Sequence, residues 1–217
     1  MGSKSGIFKK IFFYLLGIYF TAVAIALSKM TPLGLSPNST LPNELSLITG
    51  ISLGTVTTLC FSSYVIIQWI LLGKNFRKIN FFQIVLSIIY GFFVNSAMDV
   101  VHAIVPVPET YIMQLSYIII SGFILGIGIN IYLVPKFMSL PVEGLAQAVT
   151  DRFKVSFATS KNICDIIIVA SSIILSFVYF GELNGIREGT LILAILVGRA
   201  VKWTGGITKP IERFING

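Results

Sequence analysis

The sequence has little charge and very little of the chemistry that soluble enzymes and metalloproteins use. Only 12% of its 217 residues are charged, whereas an ordinary soluble domain has about 25%. It has one histidine and two cysteines, and both Cys60 and Cys164 lie inside apolar runs, so a disulfide framework is not expected. One histidine among scattered acids forms neither a metal-ligand cluster nor a nucleophile with its base. We therefore predict no enzyme activity, no cofactor and no metal site.

The positive charge also lacks the distribution that nucleic-acid binding requires. The net charge of +7 is not gathered into a basic domain with interleaved aromatic residues, so no nucleic-acid partner is predicted. The positive residues stand in short clusters between apolar runs, a pattern typical of membrane topology. With 55% hydrophobic residues and a mean hydropathy of +0.88, the chain is expected to have the lipid bilayer as its surroundings.

Six apolar stretches are long enough, or nearly so, to cross a hydrocarbon core of about 30 Å. We expect helices, because backbone amides in lipid must be paired within their own segment. The first stretch resembles a signal peptide, but its apolar run is long and further spans follow, so we expect it to be retained. The fold class is therefore an all-α membrane protein with six transmembrane helices, near residues 11–29, 51–72, 81–103, 111–134, 156–180 and 189–204.

The positive residues predict the orientation. If the amino terminus is cytoplasmic, only Lys29 and Arg187 lie outside, and the other 14 of the 16 lysines and arginines lie inside. Such an excess of cytoplasmic positive charge favours six spans with both termini in the cytoplasm.

The two halves of the chain, 1–104 and 105–217, resemble each other. A shift of 104 residues brings several small polar residues into register, as repeats do. Three spans in each half would place the halves in the membrane with opposite orientation, which is an inverted-topology repeat common among secondary transporters. The matching pairs are Pro37 with Pro141, Leu41 with Leu145, Ser52 with Ser156, Thr55 with Thr159, and Cys60 with Cys164.

A short helix is predicted after spans one and four, in segments 36–50 and 139–154. In the second, Ser139 is the expected cap, Pro141 stands near the first helical position and Glu143 lies in the first turn. The first begins at Pro37 and is expected to be interrupted by Pro42. Two interpretations are open: amphipathic helices on the membrane surface, or re-entrant elements that direct their amino termini at a central site.

Asp165 is the strongest candidate for a substrate or ion site. It lies about 15 Å inside the predicted fifth span, where an ionisable side chain is costly. Lys161 is one turn earlier on the same face, and Asn162 is adjacent. In the functional interpretation, Asp165 carries a proton or cation, or binds a cationic substrate group. In the structural interpretation, it forms an ion pair with Lys161 or a hydrogen bond to another helix.

Arg199 interrupts the sixth span, and Asn95 occupies the matching place in the first half. Arg199 could extend to the inner surface along its alkyl stem. The alternatives are an anion contact or a pairing with Asp165.

Three further polar residues are weaker candidates. Asp99 and His102 lie near the outer end of span three, where they could gate protons or be solvated at the interface. Asn130 follows Gly122, Gly126 and Gly128, a spacing that favours close helix packing. Its side chain either serves that packing or faces a substrate path.

Motifs along nearly the whole chain resemble the YczE/YyaS/YitT family of bacterial integral membrane proteins. The resemblance implies a multi-pass protein of the bacterial plasma membrane, in a family often suspected of transport. YitT-like members commonly carry a soluble carboxy-terminal domain, and this chain ends soon after span six, so the YczE-like branch is expected. The motifs are PLGLSP, ELSLITGISLGT and ILLGKNF in the first half, and GINIYLVPKFMSLPVEGLAQAVTDRFKVSFATSKNICD and REGTLILAILVG in the second.

The function expected from these features is secondary transport of a small solute or ion, with a homodimer as the expected working form. One alternative is a substrate-capture subunit of an ATPase-driven vitamin importer, for which Ala22 and Ala26 would offer a small-residue docking face. Another is a non-transporting accessory protein of the membrane.

Overall fold

Helices form nearly all the secondary structure in the computed structural model, which describes residues 4–216. Six of them are long and two are short helices of 13 residues, placed after the first and fourth long helices. A ninth helix lies at the carboxy-terminal end of the described residues. The α-helices of the described part are α1 (Lys4–Lys29), α2 (Pro37–Thr49), α3 (Leu53–Leu72), α4 (Phe82–Ile104), α5 (Tyr111–Leu133), α6 (Pro141–Phe153), α7 (Phe157–Phe180), α8 (Glu188–Thr204) and α9 (Thr208–Asn216).

The six predicted spans are confirmed as helices long and apolar enough to cross a membrane. Five of them begin and end within two residues of the predicted bounds, and the first ends at the predicted residue but begins earlier, at Lys4. The chain is therefore a multi-pass membrane protein by the length and composition of its helices.

Side chains and turns define several helix ends. Thr110 caps α5 by accepting a hydrogen bond from the Met113 amide, and Ser156 caps α7 by accepting one from the Thr159 amide. Helix α7 ends at Gly181, whose positive φ of 74° is the left-handed conformation that terminates many helices.

The two short helices differ from expectation at two residues. Ser139 is not the cap of α6, because the helix begins one residue later and Leu140 occupies that position. Pro42 does not interrupt α2, which continues through it to Thr49. Local hydrogen bonds hold the first turn of α2, from the Ser39 amide to the Ser36 carbonyl and from the Thr40 hydroxyl to the Pro37 carbonyl.

Helix boundaries recur at the interval that the sequence indicated. A shift of 104 residues carries the bounds of α2, 37 and 49, onto 141 and 153, which are the bounds of α6. The same shift carries the start of α3 onto the start of α7 and the end of α1 onto the end of α5. The order long, short, long, long therefore occurs twice along the chain.

The helices form two compact units, each built from both halves of the sequence. The first unit contains residues 4–35, 96–138 and 188–216, with α1, α5, α8 and α9. Its centre includes the buried side chains of Leu33, Ile118 and Leu193. Helices α1 and α5 approach closely, since a Cβ at Gly17 would lie 2.4 Å from the Tyr132 amide nitrogen.

The second unit contains residues 36–95 and 139–187, with α2, α3, α6, α7 and the first part of α4. Here α2 packs against α3 and α7, and α6 packs against the same two helices. Its interior holds an unusual number of fully buried polar side chains for a protein with so apolar a composition. They include Thr40, Asn43, Glu44, Gln68, Gln83, Ser87, Ser160, Ser172 and Ser176.

Candidate functional site

Asp165 and Lys161 form an ion pair on α7. They lie one turn apart on the same helix, and about a quarter of each side chain is exposed, 28% for Lys161 and 24% for Asp165. Asp165 follows the start of α7 by eight residues, about 12 Å along the helix axis. The ion-pair interpretation of Asp165 is thus the one that the structure displays, and the pair is accessible rather than sealed in the core.

The ion pair lies beside the buried stripe of α7. That stripe repeats every four residues and is made mostly of small or polar side chains, Ser160, Cys164, Ile168, Ser172 and Ser176. Small residues at this spacing allow neighbouring helices to approach closely. Such a surface positions the charged pair at the edge of a helix contact.

Tyr64 of α3 is a deeply buried tyrosine in the same unit as the ion pair. The residue is 5% exposed, and its hydroxyl has no hydrogen-bond partner within residues 4–216. The Tyr64 ring packs on Phe61, with centroids 5.8 Å apart, and Phe61 stacks on Tyr90 at 5.3 Å.

A buried amide pair joins three helices of the second unit. The Gln68 Nε2 group of α3 donates to Gln83 Oε1 at 2.9 Å and to the Pro141 carbonyl at 3.1 Å. Gly144 of α6 leaves the room for this arrangement, because a Cβ there would lie 2.9 Å from both Gln68 amide atoms. Gln68 therefore ties the first turn of α6 to α3.

The contact between α2 and α7 uses the positions that correspond to Gln68 and Gly144 in the other half of the chain. Ser172 donates to the Thr40 hydroxyl at 2.9 Å, and Thr40 donates to the Pro37 carbonyl at 2.8 Å. A shift of 104 residues relates Ser172 to Gln68 and Thr40 to Gly144. The crossing of α3 and α6 thus combines a large side chain, Gln68, with a glycine. The crossing of α2 and α7 combines the two smaller hydroxyl side chains of Ser172 and Thr40.

The chain matches a family of unknown function, DUF6198, over residues 8–205. It belongs to that family. No curated protein and no solved structure matches the chain significantly. The resemblance of this DUF6198 member to the YczE/YyaS/YitT family stays a prediction.

Two of the predicted asparagines in the DUF6198 chain have structural partners. Asn95 accepts a hydrogen bond from the Gly54 amide at 2.9 Å and donates to the Ser52 hydroxyl at 3.1 Å, which fixes the start of α3. Asn130 donates to the Val201 carbonyl and the Thr204 hydroxyl, both at 2.8 Å, which ties α5 to α8. The contacts of Asn130 favour its packing interpretation, and those of Asn95 show a structural role at the start of α3.

The remaining predicted residues lie apart from the ion pair or face outward. Arg199, Asp99, His102 and Asn162 are exposed on their helices. An exposed Arg199 agrees with an extended side chain that reaches the interface. Glu143 lies in the first turn of α6, as expected, with intermediate exposure.

Glu44, the most deeply buried carboxylate of the second unit, is not among the residues predicted from the sequence. Glu44 and its neighbour Asn43 are 0% exposed, and the Asn43 amide donates to Glu44 Oε1 at 3.4 Å. Gly185, in the connection between α7 and α8, covers them, since a Cβ there would lie 2.5 Å from the Asn43 amide nitrogen. The sequence did contain a signal for Glu44, because an ionisable side chain in a membrane segment is a candidate functional residue.

The proposed docking face of α1 is also not at the surface. Ala22 is 0% exposed and Ala26 is 1% exposed. The small residues of α1 therefore pack within the DUF6198 chain itself.

Proposed function

We propose that the protein is a secondary transporter of a small solute, located in the bacterial plasma membrane with both termini in the cytoplasm. The observation that carries the proposal is the Lys161–Asp165 pair, held on a membrane-length helix with a quarter of each side chain exposed. Lipid tails solvate such groups poorly, at a cost of about 2.5–3.5 kcal/mol for each charge on insertion scales. A solute path supplies the polar surroundings that the pair needs.

Repeated local geometry supports an inverted-repeat design. Ser52 and Ser156 begin equivalent helices, and each hydroxyl lies 2.8 Å from that of the threonine three residues later. Gly50 and Lys154, also 104 residues apart, end α2 and α6 in the left-handed conformation. With three spans in each half, these equivalent hairpins enter the membrane from opposite sides.

The exchanged packing of the short helices supports the same design. Helix α2 contacts α7 from the other half, and α6 contacts α3 from the other half. In both contacts the amino-terminal turn of the short helix is held by the equivalent position of the long one, Ser172 or Gln68. Each half therefore packs its short helix against a long helix of the other half, an exchange that supports a design of two related repeats.

The test is uptake by the purified protein in liposomes. Vesicles exposed to a mixed extract of small metabolites, then washed and analysed by mass spectrometry, should accumulate at least one solute relative to protein-free vesicles. Asp165→Asn should lower this uptake about tenfold or more, because it removes a charged hydrogen-bonding group worth about 1.5–3 kcal/mol.

The matched control is Asp151→Asn, which makes the same chemical change at an exposed carboxylate of α6. Its uptake should equal that of the wild type. The proposal fails if no solute accumulates, or if Asp165→Asn transports as fast as the control.

A further inference from the structure

Helix α9, in the first unit, has a covered apolar side and an exposed, positively charged side. Ile211 and Ile215 lie one turn apart on the covered side, and Ile215 is only 5% exposed. Lys209 and Arg213 are both exposed and also lie one turn apart, so they share one face of the helix. Neither Lys209 nor Arg213 forms an ion pair or a side-chain hydrogen bond with another described side chain. Two positive charges are therefore available at this surface.

Helix α9 is joined to the start of α1 through Lys9 and Phe214. Lys9 Nζ donates to the Phe214 carbonyl at 3.0 Å and lies 4.5 Å from the centroid of the Phe214 ring. The same ring makes an edge-to-face contact with the Phe13 ring, with centroids 6.0 Å apart. A cation is stabilised both near the last carbonyls of a helix and over an aromatic face. These contacts hold α9 against α1 and add the charge of Lys9 beside that of Arg213.

Large aromatic side chains are exposed next to these charges. Phe214 is 58% exposed in spite of its contacts, and Phe8 and Phe12, which flank Lys9 on α1, are 73% and 53% exposed. Trp203, at the end of α8, is 63% exposed. Aromatic and positive residues occur together where a protein meets the boundary between lipid tails and headgroups. A soluble acidic partner would not require exposed rings, so they favour a lipid as the partner of this surface.

Acidic side chains are scarce at this end of the first unit. Glu212 is the only acidic residue in segments 4–15 and 199–216, and it forms no ion pair with a described side chain. A cluster of lysines and arginines on an amphipathic helix attracts anionic phospholipids and has little effect on neutral ones. The positive residues of these segments include Lys9, Lys10, Lys202, Lys209 and Arg213.

We propose that α9 and the start of α1 form a binding site for an anionic phospholipid. Lys209 and Arg213 contact the phosphate of the headgroup, and the acyl chains lie along the exposed ring of Phe214. Lys9 is a positioning residue, because it holds the end of α9 against α1. The site is independent of the proposed transport function, since it lies on the outer surface of the first unit and the Lys161–Asp165 pair belongs to the second.

Native mass spectrometry of the purified full chain tests the site. The delipidated protein in a neutral detergent is titrated with phosphatidylglycerol or with phosphatidylcholine of identical acyl chains. Phosphatidylglycerol should bind more tightly. The double variant Lys209→Gln with Arg213→Gln should weaken phosphatidylglycerol binding about tenfold or more, because each positive charge near an anionic surface contributes about fivefold. Binding of phosphatidylcholine should be unchanged.

The matched control removes one lysine and one arginine from the second unit. Lys74→Gln with Arg77→Gln makes the same change of charge at two exposed residues between α3 and α4. This control should bind phosphatidylglycerol as the wild type does. Without lipid, both double variants should melt at the wild-type temperature, because the four side chains have no printed or hidden role in packing beyond their own exposed positions.

Inorganic phosphate and polyglutamate distinguish a lipid from a soluble anion. Each is added at the same concentration of anionic groups as the phosphatidylglycerol, and neither should displace the lipid. Displacement by either one would overturn the lipid site in favour of a soluble phosphate or an acidic protein. The inference is also overturned if the two lipids bind equally, if the α9 variant keeps wild-type affinity, or if the control loses as much affinity as the α9 variant.

Discussion

At the scale of single residues, the buried amide of Gln68 is the clearest stabilising feature of the second unit. A side-chain amide inside a membrane helix is unfavourable unless its donors and acceptor are satisfied. Gln68 uses its amino group for two hydrogen bonds, to Gln83 and to the Pro141 carbonyl. The three segments that it joins are therefore held by one side chain.

Gln68→Met should lower the melting temperature, because Gln83 and the Pro141 carbonyl lose their donor in the interior. Hydrogen bonds between membrane helices contribute about 0.6 kcal/mol on average and up to about 1.7 kcal/mol. A thiol-reactive fluorescent dye can follow unfolding, since both cysteines of the chain are buried in the folded protein.

A double-mutant cycle with Gln83→Met separates the contribution of the Gln68–Gln83 hydrogen bond from that of the other contacts of Gln68. The two substitutions should be non-additive, with the double variant less destabilised than the sum of the single ones. Strictly additive effects would show that the amides do not act as a pair.

At the scale of helices, the contact between α1 and α5 depends on a glycine that leaves room for backbone. A Cβ at Gly17 would lie 2.4 Å from the Tyr132 amide nitrogen and 2.8 Å from the Gly128 carbonyl oxygen. Backbone atoms cannot rotate away as a side chain can, so the helices themselves would have to separate.

Gly17→Ala should therefore destabilise the protein by about 1–3 kcal/mol or more, as overpacking does. Gly198→Ala on α8 is the matched control, because a Cβ there meets nothing within 4 Å. The control should melt at the wild-type temperature or slightly above it, since alanine favours helix more than glycine does. Equal melting of the two variants would contradict the close contact.

The crossing of α3 and α6 offers a second test at this scale. Gly144→Ala would place a Cβ 2.7 Å from Gln83 Nε2 and 2.9 Å from the Gln68 amide, which forces both glutamines to move and weakens their hydrogen bonds. The melting temperature should fall. Adding Gln68→Ser, the residue found at the equivalent position 172, should restore part of the loss, because the shorter side chain vacates the space. A double variant less stable than both single variants would contradict the idea that Gly144 leaves room for the long side chain of Gln68.

Most of the helices could be predicted from the sequence, because a run of some twenty apolar residues has few other structures open to it. The detail of the short helices could not. The continuation of α2 through Pro42 goes with its burial against α7, where Ser172 donates to the Thr40 hydroxyl. Contacts of that kind come from residues more than a hundred positions away in the sequence. Local helix propensity therefore cannot predict them.

The same reasoning explains which site residues the sequence revealed. Asp165 and Lys161 were found because charge in an apolar run is conspicuous. Tyr64 was not predicted because a tyrosine in such a run is ordinary, and only its buried hydroxyl without a partner in the described residues distinguishes it. Glu44 was missed because α2 was expected to be a surface or re-entrant segment, and its 0% exposure is a property of the fold.

At the scale of the whole molecule, the proposed inverted topology has a direct test. Thr49 and Phe153 are exposed residues at the ends of α2 and α6, and a shift of 104 residues relates them. In intact cells a membrane-impermeant maleimide should label Thr49→Cys. It should label Phe153→Cys only after the membrane is opened.

The wild type provides the background for this experiment, because its cysteines are buried and should not react. Labelling of both positions from the same side would exclude an inverted repeat. Labelling of Phe153→Cys alone in intact cells would reverse the orientation.

The unequal crossings at Gln68 and Ser172 mean that the two halves of this chain are not interchangeable. In a protein assembled from two copies of residues 1–104, Thr40 would face Gln68 at both crossings. Thr40 would then occupy the space that Gly144 leaves open for Gln68. Two copies of the second half would oppose Gly144 to Ser172 and leave a void at each. If the chain descends from a duplicated ancestor, the crossings have diverged as complementary pairs, and each half now fits only its partner.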